Sequence, residues 1–344
     1  MIRIGIIGTG GMARQHAKSF QAIKSCRVVS CADIMPGRAK QFATEYSIPA
    51  AYEDVEEMLK HEKLDGVSVV TIDVAHATAS LAAIRHKIHV MCEKPLADTL
   101  ANAKKMEKAA SSAGLLTAVN FSYRNRPATQ MAAKLVASGK LGDIRHVEGE
   151  YLQSWLTLDW QTEPALLWRL SKRHGSAGVL GDLGVHLLDL ASFVVGDIQA
   201  LNCELTIFDK GVKRIGEYVF DVNDSLSALV RFRNGARGTL NSTRWAKGRG
   251  NTVALRIYGT KGALDLNLDR PDEEQLSVCL GRGVDGAKWV AMKCPKTPNQ
   301  QERFVTSIRT GRQGQTSFKG GLKVQEYVQA CFDSADRKGT WVEL

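Results

Sequence analysis

The chain has no run of about 18 apolar residues, which argues against a helical membrane span. It has no paired-cysteine spacing either. Cys26, Cys31, Cys92, Cys203, Cys279, Cys294 and Cys331 are odd in number and scattered, with no CxxC. That speaks against a disulfide framework or a zinc site, no other ligand spacing suggests a metal, and a reducing, cytoplasmic setting is expected. No signal-peptide layout precedes the first strand pattern, Ile2-Arg3-Ile4-Gly5-Ile6-Ile7, and neither an internal repeat nor a low-complexity stretch follows. Positive charge does not gather, although the formal net charge is +10. Lysines and arginines are interleaved with acids, and the densest clusters, Arg169 to His174 and Arg244 to Arg249, are short and lack an aromatic ladder. They read as a basic surface that concentrates anionic small molecules, and no nucleic acid is expected as partner.

What is present begins with a strand, Ile2 to Ile7, running into Gly8-Thr9-Gly10-Gly11-Met12-Ala13, which fits G-x-G-x-x-A. A helical stretch follows, then a second strand, Val28 to Ala32, ending at Asp33. A glycine fingerprint alone is weak, but strand, turn, helix, strand and acidic terminus in this order predict a dinucleotide site. Gly8 permits the tight turn, and Gly10 lets backbone approach a pyrophosphate at the helix N-terminus. Gly8, Thr9, Gly10, Gly11 and Met12, with Asp33 and Ile34, are the expected cofactor contacts. A carboxylate at Asp33 accepts ribose hydroxyls and repels the 2′-phosphate of NADP, so NAD is favoured; Arg38 lies five residues on, where it either touches the cofactor or sits on the next helix.

Strands at Gly66 to Ile72, Ile88 to Cys92 and Leu115 to Asn120 alternate with helices at Asp54 to Lys60, Ala75 to His86 and Ala101 to Ala113. This predicts an α/β fold with a parallel Rossmann sheet, ligands lying beyond the carboxyl ends of the strands. Glu93-Lys94-Pro95 stands at one such end. After Asn120 the alternation stops. Extended segments between Ala200 and Leu280, joined by turns such as Asn234-Gly235, predict an antiparallel meander. A division into 1–121, a cofactor domain, and 122–344, a second α/β domain, is expected.

Within Gly178 to Leu190 every residue is apolar or glycine except Asp182, His186 and Asp189. At about 100° per residue they fall within roughly 60° of arc on one helix face. Carboxylates and imidazole are costly to bury without partners. Either they satisfy one another structurally, or they form a site in which imidazole moves a proton and a carboxylate fixes its geometry; the second explains the arrangement better. His16, His61, His86, His89, His146 and His174 read as surface or structural.

Gly8 to Ala13, Glu93-Lys94-Pro95 and Gly181-Asp182-Leu183-Gly184-Val185-His186-Leu187-Leu188-Asp189 together resemble the glucose–fructose oxidoreductase/inositol dehydrogenase (Gfo/Idh/MocA) family. The likeness extends to Tyr123-Arg124, Trp168-Arg169 and Tyr258 to Gly262. It implies a Rossmann domain followed by an α/β domain whose open, mostly antiparallel sheet forms a homodimer or homotetramer. It implies Lys94 as a catalytic and substrate-orienting lysine before a cis-proline, Asp182 as a substrate-holding carboxylate, His186 as general base, and Glu93 and Arg169 at the cofactor. The family's Thr-Pro-Asn-x-x-His loop appears here as Thr71-Ile72-Asp73-Val74-Ala75-His76. Thr71, Ile72 and His76 are accordingly expected near the cofactor, with Asp73 either on ribose or in solvent.

The chemistry that follows is oxidation of a secondary alcohol on a cyclic polyol or sugar, an inositol or a pyranose-type ring. His186 takes the hydroxyl proton, Lys94 stabilises developing alkoxide charge, and Asp182 grips a neighbouring hydroxyl or orients the imidazole. Asp189 is a supporting partner or a helix-surface residue. Tyr123 and Arg124 are candidate substrate contacts, and one of Trp155, Trp160 and Trp168 either walls a sugar ring or fills the core. Two other readings stand beside this one. In one the substrate carries a phosphate or nucleotide held by Arg124, Arg169 or Lys172; in the other the chain binds NAD and sugar as a regulator without turnover.

Overall fold

Apolar strands alternating with amphipathic helices build a six-stranded parallel sheet in the computed structural model, which describes residues 1–269 and 275–344. Its strands are β1 (Ile2–Ile7), β2 (Cys26–Ala32), β3 (Ala50–Tyr52), β4 (Gly66–Val69), β5 (His89–Cys92) and β6 (Thr117–Val119). The helices between them are α1 (Gly11–Gln21), α2 (Arg38–Glu45), α3 (Val55–His61), α4 (His76–Arg85) and α5 (Leu100–Ser112). The strand order is β3-β2-β1-β4-β5-β6, so the chain reverses its direction of travel across the sheet between β1 and β4. In such sheets the carboxyl ends flanking that reversal are where ligands bind. β4 stops at Val69 instead of reaching Ile72, because the chain leaves the sheet for a 3-10 turn at Asp73–Ala75 that leads into α4.

The chain forms two compact units. One comprises Met1–Ser122 with Pro298–Gln325, the other Tyr123–Thr297 with Glu326–Leu344. A single cut at residue 121 therefore misses the return of 298–325 to the first unit. That return is made by a helix, Gln300–Thr310, absent from the sequence reading. Its Phe304 and Val305 share a core with Ile4 and Ile6 of β1 and Ala13, Ala17 and Phe20 of α1. The local signal was there: Asn299 and Glu302 form a reciprocal capping box, a pattern readable as Asn-x-x-Glu.

The second unit holds α6 (Pro127–Ala137) and a nine-stranded sheet. Across that sheet run Val290–Ala291, Gln275–Leu280, Gly262–Asn267, Thr252–Gly259, Ile144–Leu152, Arg237–Thr243, Ser225–Phe232, Ile198–Thr206 and Val342–Glu343. It is mostly antiparallel but not a simple meander. Ile144–Leu152, the first strand laid down, sits in the middle and pairs parallel with Arg237–Thr243. A helix, Val185–Val195, packs on this sheet at Gly149, where a Cβ would stand 2.6 Å from Leu240 Cδ2 and 3.1 Å from Leu187 Cδ1. That close approach seats the helix bearing His186 and Asp189.

Candidate active site

In the first unit the glycine turn is formed as the fingerprint requires. Gly8 has φ of 88°, and a Cβ there would lie 2.6 Å from Val70 O, so only glycine fits. The N-cap of α1 is Gly10, which has no side chain to offer the first-turn N–H groups and so leaves them to an anion. A cavity of about 210 Å³ adjoins this turn, lined by Thr9, Gly10, Gly11, Arg14, Arg38 and Glu45 among others. Asp33 Oδ2 accepts the N–H and O–H of Thr9, both at 2.8 Å, and Oδ1 accepts Met35 N–H at 3.0 Å. Burial opposes its ionisation, but those donors and the Arg38 cation outweigh it and hold the carboxyl below its ordinary value. Met12, Ile34, Ile72 and Val74 are exposed apolar side chains at the carboxyl ends of β1, β2 and β4. A planar base or ring is the partner such isolated apolar surface suits.

Lys94, half-buried, follows β5, and its peptide bond to Pro95 is cis, as the resemblance implies. The Glu93 carboxylate beside it is buried. Its Oε1 contacts His16 Nε2 at 2.8 Å and accepts Asn120 Nδ2–H, and its Oε2 accepts Lys94 N–H at 3.2 Å. Burial raises the carboxyl's pKa, but His16, Asn120 and Lys94 together carry it down to about 2. A depressed pKa stabilises the fold above the unfolded value, near 4.5, and that contribution is lost as pH falls toward 2. Glu93→Gln should therefore lower stability by roughly 2 kcal/mol at neutral pH, the difference from wild type shrinking below pH 4.5. Urea titrations of both proteins across that window check this; a difference independent of pH would refute it.

The structure decides how two histidines are used. His16 is wholly buried between Ser68 Oγ (2.8 Å from Nδ1) and Glu93, the structural one of the two readings its sequence left open. His76, expected near the cofactor, is also wholly buried. Its Nδ1 contacts Pro95 O at 2.8 Å and its Nε2 contacts Thr71 O at 3.2 Å, so the ring ties the two loops together.

In the second unit the segment 180–189 is not one regular helix. Leu180–Gly184 forms a π turn before Val185–Val195, with Leu180 N–H donating to Asn223 Oδ1 at 2.9 Å. The 100° arithmetic fails across this turn, since π turns carry more residues per revolution, and such turns recur at functional sites. The three polar residues accordingly find different partners. Asp182, on the π turn, is gripped by two guanidinium groups: Arg169 Nη1 at 3.1 Å and Arg244 Nη2 at 2.9 Å. Arg169, which also lies over the Trp168 ring at 4.7 Å, is thus engaged with a carboxylate. Asp189 is buried, not at a helix surface; its two oxygens share the single N–H of Arg124 Nε at 3.0 and 3.1 Å, and Oδ1 also accepts from Nη2. Burial pushes the Asp189 carboxyl up, and Arg124 opposes it. Arg124 is thereby engaged by that carboxylate.

His186 is buried against Tyr123, ring centroids 5.0 Å apart and edge-on, and Tyr151, 6.2 Å away. Tyr123, an expected substrate contact, opens a polar row in which Tyr151, Gln153 and Asn251 were not singled out by the sequence. Tyr123 Oη and Tyr151 Oη lie 3.0 Å apart; Asn251 Oδ1 accepts from Tyr151 Oη at 3.0 Å and from Gln153 Nε2 at 2.7 Å; Gln153 Oε1 accepts Trp155 Nε1–H at 3.1 Å. Burial, Tyr123 and Asp182 all push the Tyr151 phenol up, so it remains a neutral donor. The deepest omission was Arg244. It was read as part of a basic surface cluster but is wholly buried, bonded to Asp182 and the carbonyls of Arg169 and Gly178, with Trp155 beneath it at 5.0 Å. Of the three tryptophans, Trp160 is buried in an apolar cluster with Leu156, Leu167 and Leu170. Among the described residues no three His, Cys, Asp or Glu side chains gather as a metal site would require.

Residues 2–121 match the family model described as an oxidoreductase family with an NAD-binding Rossmann fold, and residues 129–265 match that of the GFO/IDH/MocA C-terminal domain. The chain belongs to the GFO/IDH/MocA oxidoreductases. It is 30% identical to levoglucosan dehydrogenase of Pseudarthrobacter phenanthrenivorans, over 100% of this chain and 98% of that protein. It is 29% identical to D-glucoside 3-dehydrogenase of Escherichia coli, over 100% and 97% of the two chains. The solved structure of a levoglucosan dehydrogenase in complex with NADH and levoglucosan superposes with a TM-score of 0.89 at 27% identity, covering 100% of this chain and 99% of that one. This oxidoreductase uses NAD, and the glycine turn, the α1 N-terminus, the Asp33 carboxylate and the exposed apolar strand ends fit that cofactor.

Because Arg38 already lowers the Asp33 carboxyl, Asp33→Ser should leave that cation to an incoming phosphate. The ratio of NADP to NAD efficiency is expected to rise by about 10- to 100-fold, the scale of 1.4 to 2.7 kcal/mol. Steady-state kinetics with both cofactors measure it, and an unchanged ratio would show that another group reads the ribose.

Proposed function

We propose that this dehydrogenase oxidises a ring secondary alcohol of a neutral pyranose-type sugar, with cyclic polyols as the neighbouring class. Bound NAD supplies the hydride acceptor. The chain must then take up the hydroxyl proton, and His186 is the group for that role, because an imidazole between two phenols lies beside donors and acceptors that can hold the alcohol. Lys94 hydrogen-bonds the reacting or adjacent oxygen and stabilises its developing negative charge. Asp182, fixed by Arg169 and Arg244, holds a neighbouring hydroxyl in a constant orientation. The observation that carries this reading is the row of uncharged hydroxyl, amide and indole groups from Tyr123 to Trp155 around His186. Such groups match a polyhydroxylated neutral ring, which presents alternating donors and acceptors and an apolar C–H face. The levoglucosan and D-glucoside named for two of the relatives are neutral rings of this kind.

A phosphorylated or nucleotide-linked sugar is the second reading. It is less well supported, since Arg124 and Arg169 are already engaged by Asp189 and Asp182. NADH formation across anhydrosugars, glucosides, inositols, sugar phosphates and nucleotide sugars tests both. Turnover confined to anionic sugars would overturn the neutral-ring assignment.

We also infer a homodimer or homotetramer formed through the open face of the nine-stranded sheet. Arg256 stands on the face opposite Leu187, within 3.8 Å of Glu148, Glu150 and Asp265 on neighbouring strands, and Leu229 is exposed elsewhere on the sheet. Light scattering that returned a monomer would refute this. Seven free thiols support a reducing, cytoplasmic setting.

A further inference from the structure

We infer that His16 and His76 are positioning residues that clamp the main chain on either side of Lys94. This rests on the reading that Lys94 acts on the reacting oxygen. The two imidazoles come from different helices, α1 and α4, and both are wholly buried. His16 grips the N-terminal side. Its Nε2 holds Glu93 Oε1 at 2.8 Å, while the other oxygen of the same carboxylate accepts the Lys94 N–H. Its Nδ1 is held by Ser68 Oγ on β4 at 2.8 Å, so the carboxylate cannot rotate without moving a ring anchored in the sheet. His76 grips the C-terminal side. Its Nδ1 donates to Pro95 O and its Nε2 to Thr71 O, and since both partners are carbonyls, both ring nitrogens carry hydrogen. A charged imidazolium in that position is consistent with the pKa of about 10: burial lowers it, and Cys92, Asp73 and the Pro95 carbonyl more than reverse that.

A buried position beside β5 filled by an apolar side chain would carry no desolvation cost, whereas an imidazole there carries a large one. The two rings offset that cost with hydrogen bonds directed at the residues flanking Lys94. A lysine reaches its target through four flexible torsions, so its ammonium inherits any drift of its own backbone. A misplacement of about 1 Å at a reacting group lowers turnover by about 100-fold.

Asparagine and glutamine separate the two bonds of each histidine, because the amide of asparagine falls near Nδ1 and that of glutamine near Nε2. His76→Asn keeps the Pro95 bond and His76→Gln keeps only the Thr71 bond. His16→Gln keeps the Glu93 bond and His16→Asn keeps only the Ser68 bond. The clamp predicts kcat within about threefold of wild type for His76→Asn and His16→Gln. It predicts a loss of about 10- to 100-fold for His76→Gln and His16→Asn, with sugar KM nearly constant. Equal losses within each pair, or losses that follow the melting temperature, would reduce both histidines to core packing and overturn the inference. Lys94→Met is the control. If it retains turnover, the underlying role of Lys94 fails; if it is inactive while His76→Gln and His16→Asn match wild type, the clamp alone fails. Should a variant not fold, hydrogen exchange of the Lys94 amide in the wild-type protein decides: slow exchange supports the clamp, and exchange at the rate of an open loop overturns it.

Discussion

His186→Asn is expected to lower kcat by about three orders of magnitude while the affinity for NAD stays within a few-fold of wild type. General base catalysis by a placed imidazole contributes about 10²- to 10⁴-fold, and an amide of similar size cannot accept a proton near neutral pH. Asparagine keeps a polar group between Tyr123 and Tyr151, so the fold and the sugar pocket should survive the change. The glycine turn and Asp33 that carry the cofactor lie in the other unit and are untouched. Single-turnover NADH formation separates this from a binding defect. In His186→Ala, added imidazole should restore part of the rate. A kcat near wild type in either variant would remove His186 from the proton-transfer role.

Arg244→Leu is expected to destabilise the second unit by about 3–5 kcal/mol, the cost of breaking a buried ion pair by removing one partner. The loss has two parts. Asp182 keeps one guanidinium, the more exposed Arg169, and the carbonyls of Arg169 and Gly178 lose their buried donor. Leucine fills only part of the space over the Trp155 ring. Because Asp182 then hangs from a single partner on its π turn, kcat should fall together with stability. Arg244→Lys should recover little of either, since an ammonium cannot reach the carboxylate and two carbonyls in one planar fork. Urea unfolding of the three proteins measures the effect; an Arg244→Leu variant as stable as wild type would mean that the pair contributes nothing net.

The features legible in the sequence share a property: their chemistry is complete within a short stretch. Gly8 and Gly10 announce the turn because adjoining residues supply strand and helix, and Asp33 follows at the end of the next strand. Lys94 could be placed at a strand end for the same reason. Partnerships were another matter. Glu93 and His16 are 77 residues apart, Arg124 and Asp189 are 65 apart, and Asp182 and Arg244 are 62 apart. No periodicity connects such positions. A histidine on α1 was therefore left as either surface or structural, and an arginine at a strand end looked like one more surface cation. The polar row from Tyr123 to Trp155 was hidden likewise, because Asn251 meets it only through pairing across the sheet.

From the sequence alone came most of the alternation of strands and helices in the first unit, without the short strand Ala50–Tyr52 or the helix Gln300–Thr310, together with the dinucleotide turn, the preference for NAD and the family to which the chain belongs. These follow from local sterics and hydrogen-bonding capacity, which a residue and its near neighbours determine. The tertiary structure decided which carboxylate meets which cation, that a π turn breaks the helix at Asp182, that residues 298–325 return to the first unit, and that two histidines flank Lys94 from inside the core. Buried charges and imidazoles must find partners wherever the fold brings them, and only the folded chain specifies that place.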